Sequence, residues 1–118
     1  MYSSDELQFE AQEALDKVWF VQSLEVVKRT DFTISLRFHI RSGLFVQVFL
    51  GQLSGSLYFA LIEEGQRILG IDREIDEWHI HPYDAPHQHK PFPEGLYPKP
   101  LLRFLTRVEA LLLEHNLL

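Results

Sequence analysis

Apolar and polar positions alternate without a break from Phe32 to Arg41: Phe32, Ile34, Leu36, Phe38 and Ile40 against Thr33, Ser35, Arg37, His39 and Arg41. A period of two places successive side chains on opposite faces of a strand. This segment therefore predicts one face on a core and one toward water or a ligand. Ser42-Gly43 is a turn signal, and the apolar run LFVQVFL after it predicts the second half of a hairpin. GQLSGS reads as a loop, SLYFALIE as a third long strand, and Glu64-Gly65-Gln66 as another turn. Arg67 to Asp72 and Glu77 to Tyr83 follow as shorter strands, while Trp19-Phe20-Val21 favours strand by its aromatic and β-branched content. Parallel neighbours would need crossovers of about a dozen residues or more, which these links cannot supply. The pattern predicts a curved antiparallel meander of five or six strands.

Periodicity changes at both ends. Ser3 and Glu6 form the pattern of a capping box, and Leu7, Ala11, Ala14, Leu15 and Val18 recur at helical spacing behind it. Near the other end, Leu101, Phe104, Leu105, Val108, Leu111 and Leu112 mark one face of an amphipathic helix that opens after Pro98-Lys99-Pro100. All six prolines fall between residues 82 and 100, which predicts an irregular, stiffened loop ahead of that helix. The expected architecture over residues 1–118 is a single α+β domain: N-terminal helix, meander, Pro/His-rich loop, C-terminal helix. Trp19 is expected in the core. Leu113, Leu117 and Leu118 lie off the main helical stripe and offer either a homodimer contact or a cover for the sheet edge.

Composition narrows the function classes. There is no cysteine, which excludes disulfides, thiolate metal sites and cysteine nucleophiles. The polar, acidic start MYSSDELQFE is unlike a signal peptide, and no apolar run approaches the ~20 residues of a membrane span, so a cytoplasmic protein without a membrane partner is expected. A net charge of −6 disfavours broad electrostatic binding to nucleic acid, leaving recognition of a compact RNA site open.

The chemistry-bearing stretch is EWHIHPYDAPHQHKPFP, Glu77 to Pro93, which holds four of the six histidines. On a strand His79, His81 and Tyr83 share one face, with Trp78 and Ile80 on the other, and His87 and His89 follow beyond the proline turn. Imidazoles two apart on a strand can converge on one ion. His79, His81, His87 and His89 with the carboxylate of Asp84 are thus candidate ligands for Zn or another divalent metal, although the diagnostic zinc spacings are missing. The same residues suit proton transfer without a metal. Histidine titrates near neutrality, and cleavage of RNA by its own 2′-hydroxyl needs a base, an acid and a cation for the phosphate. His79 and His81 are the candidate pair, with Tyr83 as orienter or donor and His87 and His89 beside them. Arg37, His39 and Arg41 are candidate substrate contacts if their strand face meets the loop. A third account is purely structural: imidazoles bonding to carbonyls that prolines leave unpaired.

Leu69-Gly70-Ile71-Asp72, followed by DAPHQHKPFP and the closing helix, resembles the TumE-type toxin family over about Ile68 to Leu112. In that family a strand ending in aromatic-Asp-Asn precedes a His-x-His or His-His loop and a final helix. Tyr83-Asp84-Ala85-Pro86-His87 with His89-Lys90 carries the match, and Ala85 stands in the place of the asparagine. The resemblance implies a small α+β toxin acting inside the cell and paired with a cognate antitoxin. The combined expectation is a toxin-like protein of a toxin–antitoxin pair, acting as a ribonuclease through its histidines without a metal cofactor. The alternatives are a non-enzymatic, dimeric binding module whose loop is structural or holds a divalent metal, and a metal-dependent hydrolase.

Overall fold

A computed structural model describes residues 2–118. Helix α1 (Ser4–Lys17) leads into β1 (Ser23–Arg29), β2 (Thr33–Arg41), β3 (Leu44–Gly51), β4 (Ser56–Glu63), β5 (Gln66–Glu74), β6 (Glu77–His81) and β7 (Lys90–Pro91). Helix α2 (Pro100–Glu114) follows. The seven strands lie side by side in chain order, each antiparallel to its neighbours. The expected α+β meander is present, with seven strands rather than five or six. The additional pairings carry little pattern of their own: β1 is an edge strand with most residues exposed, and β7 has two residues. Trp19-Phe20-Val21 is not a strand but the turn before β1, and Trp19 is not in the core. Its ring is 56% exposed, and its indole N–H donates to Glu109.

The capping box forms as the sequence predicts, with Ser3 Oγ accepting from the Glu6 N–H and Glu6 Oε1 accepting from the Ser3 N–H. α2 is capped differently. Lys99 precedes it in the left-handed region (φ 56°) and offers no side-chain cap. Glu10 of α1 does so instead, its Oε2 accepting from the Leu102 N–H at 2.7 Å while Oε1 accepts from the Tyr2 hydroxyl. Unpaired amides and the helix dipole favour an anionic acceptor there. Burial pushes the Glu10 carboxyl above the usual range despite those bonds, and burial with the Glu10 contact raises the Tyr2 hydroxyl.

One sheet face carries the core. Leu36, Phe38, Val46, Val48, Phe59 and Ile71 point toward α1 and α2, and Phe104 of α2 stacks on Phe59 at 5.3 Å between centroids. Period-two alternation puts Arg37, Gln47, Ala60, Gly70 and His81 in one row across the opposite face. A second row runs Ser35, Phe49, Tyr58, Asp72, His79. No helix of the described residues is long and apolar enough to cross a membrane.

Candidate functional site

Trp78 and Ile80 pack against the core, which leaves His79 and His81 of β6 on the open face. The β5–β6 hairpin fixes their neighbours: Asp72 pairs with His79 and Gly70 with His81. Its turn holds Ile75 in the left-handed region at φ 59°, with the Ile75 N–H donating to the Gly55 carbonyl. Beyond β6 the proline-rich loop swings out and returns as β7, whose Lys90 and Pro91 pair with Ile80 and His79. That return lays His89 against both β6 imidazoles, with ring centroids 4.2 Å from His79 and 4.8 Å from His81.

Asp72 is the focus of the cluster. Its Oδ1 lies 3.8 Å from His79 Nδ1 and 3.8 Å from His89 Nε2, and its Oδ2 lies 3.4 Å from His81 Nε2. Hydrogen bonds between such atoms run to about 2.7–3.2 Å, so the imidazoles surround the carboxylate without bonding to it. His79 Nδ1 is buried with no hydrogen-bond partner. Asp72, His81 and His89 each offer one ligand atom, all within 4.8 Å of one another.

Arg67 supplies the positive charge. Its Nη2 stands 3.2 Å from His81 Nδ1 and donates to the Pro86 carbonyl. Gly70 makes room for this crossing, since a Cβ there would meet Arg67 Cδ at 3.0 Å and His81 Cδ2 at 3.4 Å. Burial, and then the Arg67 guanidinium, pull the His81 pKa below the usual imidazole value against the opposing pull of Asp72. The shift favours the neutral imidazole. Beside Asp72 in its row lie Tyr58 and then Phe49, their rings stacked at 5.9 Å and 27°.

Of the residues singled out from sequence, the fold brings together His79, His81 and His89. Tyr83 lies apart, stacked on His115 at 4.2 Å, and Asp84 and His87 are exposed on the loop. Arg37 and His39 share the open face with the cluster but sit on β2, three strands from Asp72 and Arg67 and four from His79 and His81, about 14–19 Å along the sheet at ~4.8 Å per strand. Both have partners: Arg37 Nε donates to Gln47 and its guanidinium covers the Phe45 ring, while His39 Nε2 is 2.8 Å from Glu25. Arg41 ties the C-terminus to the β3–β4 region, donating to the Leu117 carbonyl and to Glu63. The carboxylate and cation at the cluster are Asp72 and Arg67, neither singled out from sequence as a site residue. Asp72 had a signal, because a two-residue turn at Ile75-Asp76 forces Asp72 opposite His79. Arg67 had none, because its approach to His81 depends on the glycine between them.

A cavity of about 760 Å³ lies away from this cluster, between α1, the β5–β6 turn and the Tyr97-Pro98-Lys99 segment. Arg73 is buried beside it, donating to the Tyr97 hydroxyl and the Gly55 carbonyl. Comparison with family models, with curated proteins and with solved structures finds no match for this chain.

Proposed function

We propose that the protein is a toxin-like ribonuclease of a toxin–antitoxin pair, with His79, His81 and His89 around Asp72 as its reaction centre. The observation that supports this most is the convergence of three imidazoles, one carboxylate and one guanidinium on a helix-free sheet face. Cleavage of RNA by its 2′-oxygen forms a bond to the adjacent phosphorus and breaks the bond to the 5′-oxygen. A base takes the 2′ proton and an acid returns one to the leaving oxygen. Neutral His81 suits the base, and His89, half exposed at the lip of the cluster, suits the acid. Asp72 stabilises the imidazolium as it forms, and Arg67 carries the phosphate charge. Tyr58 and Phe49 offer a stacking surface for unpaired bases beside the reaction centre, the mode by which proteins commonly hold single-stranded RNA.

The test is expression in a bacterial host at matched level, with RNA from the same cells followed over time. Arrest and RNA fragmentation by the wild type, absent with His81→Ala/His89→Ala, is the expected result. Growth and intact RNA with both proteins, and no cleavage of single-stranded RNA by the purified chain, would remove the ribonuclease.

A further inference from the structure

We infer that Asp72, His81 and His89, with His79 beside them, form a binding site for a zinc-class divalent metal ion, and that its occupancy silences the proton-transfer site they otherwise provide. The silencing half rests on the ribonuclease proposed above. The binding half stands on geometry alone.

The spacing of the donor atoms carries the inference. Bonds of about 2.0–2.1 Å from zinc to imidazole nitrogen or carboxylate oxygen place neighbouring ligands of a tetrahedral site about 3.3–3.4 Å apart. Asp72 Oδ2 and His81 Nε2 stand 3.4 Å apart, the other carboxylate oxygen Oδ1 stands 3.8 Å from His79 Nδ1 and from His89 Nε2, and one donor atom each from Asp72, His81 and His89 lies within 4.8 Å of the others. A hydrogen-bonded cluster would be tighter and would satisfy its donors and acceptors. Here His79 Nδ1 is buried and unpaired, which costs free energy unless a ligand engages it. Asp72 and the two β6 histidines sit on paired strands, so three of the four groups are held by the sheet. His89 arrives from the loop at 51% exposure and can close the remaining distance.

The donor set selects the metal. Three imidazoles and one carboxylate suit zinc, nickel or copper, whereas magnesium and calcium prefer oxygen ligands. The sequence-based set gave the carboxylate to Asp84, and the fold gives it to Asp72 while leaving Asp84 and His87 outside. Arg67 opposes loading, because it puts a positive charge 3.2 Å from His81 Nδ1. A bound ion also takes up the imidazole lone pairs that proton transfer needs. Metal and RNA phosphate therefore use the same groups in mutually exclusive ways, with Arg67 favouring the phosphate.

Untagged protein, stripped with chelator and dialysed, is titrated with zinc by calorimetry and its metal content measured after gel filtration. Magnesium is the control. Expected are about one zinc per chain, a rise in thermal midpoint, and affinity at least about tenfold weaker in Asp72→Asn and His81→Ala. Asp84→Asn and His87→Ala should bind like the wild type. Arg67→Met should bind zinc at least as tightly as the wild type while cleaving RNA at least about tenfold more slowly, and zinc should inhibit wild-type cleavage. Absent or substoichiometric zinc, or binding lost on His87→Ala but kept in Asp72→Asn, overturns the site. Zinc binding with no RNA cleavage by the stripped protein overturns the silencing half and the ribonuclease together, leaving the metal site standing. RNA cleavage without zinc binding removes the metal site alone.

Discussion

Asp72 on β5 and His79 on β6 are direct cross-strand partners, and this pairing puts a carboxylate beneath imidazoles that reach it from two directions. Replacing Asp72 by asparagine keeps the shape and removes the charge. RNA cleavage should fall by about 10²-fold or more, the scale of a lost acid–base contribution. The thermal midpoint of the metal-free protein should change little, because no hydrogen bond links Asp72 to the imidazoles. A cleavage assay beside calorimetric unfolding checks both halves.

Gly70 and Arg67 are coupled by space. Gly70→Ala adds a methyl group 3.0 Å from Arg67 Cδ and 3.4 Å from His81 Cδ2, so the Arg67 side chain must give while His81 is met at ordinary contact. Cleavage should fall severalfold with no loss of fold, and the double variant Gly70→Ala/Arg67→Met should be no worse than Arg67→Met alone. A double-mutant cycle on cleavage rate measures this coupling.

Arg37 and His39 provide the contrast. They sit on the same open face but three to four strands from the cluster and are engaged by Gln47, Phe45 and Glu25. Arg37→Ala and His39→Ala should leave the cleavage rate of a dinucleotide within about twofold, because so short a substrate cannot span about 14–19 Å of sheet. Slower cleavage of long RNA alone would mark them as distant substrate contacts.

Glu10 makes stability depend on pH. Burial raises its carboxyl in the folded chain above the unfolded value near 4.5, so the folded state binds this proton more tightly. The contribution is fully present below the unfolded value and is lost as pH rises through the folded one. Unfolding by urea across that window should show stability falling with rising pH at this site. Glu10→Gln keeps one acceptor oxygen, for the Leu102 N–H, turns an amide N–H toward the Tyr2 hydroxyl oxygen, and should flatten the slope. An unchanged slope in the variant would assign it to other groups.

Phe104 is fully buried and stacked on Phe59, joining α2 to the centre of the sheet. Phe104→Ala should cost about 3–5 kcal/mol, the usual range for deleting a large core aromatic. Denaturant unfolding measures it.

The sequence by itself determined the meander and both helices, because local periodicity reports which face of each element meets the core. Alternation from Ile34 to Ile40 oriented β2, and the Ser3/Glu6 pair placed the start of α1. Where pattern and environment part company, it failed: Trp19-Phe20-Val21 has strand composition but forms a turn that buries Phe20 and Val21 and exposes Trp19, and the exposed edge strand β1 shows no clean alternation. His79, His81 and His89 stood out because unusual side chains cluster in the chain. Only the tertiary structure decided which groups join them. Asp72 arrives through strand register and Arg67 through the space left by Gly70, while Tyr83, Asp84 and His87 are near in sequence and turned away. The physical reason is that ligand and proton-transfer distances are set between strands and across a loop's return, where neighbours in space are seldom neighbours along the chain.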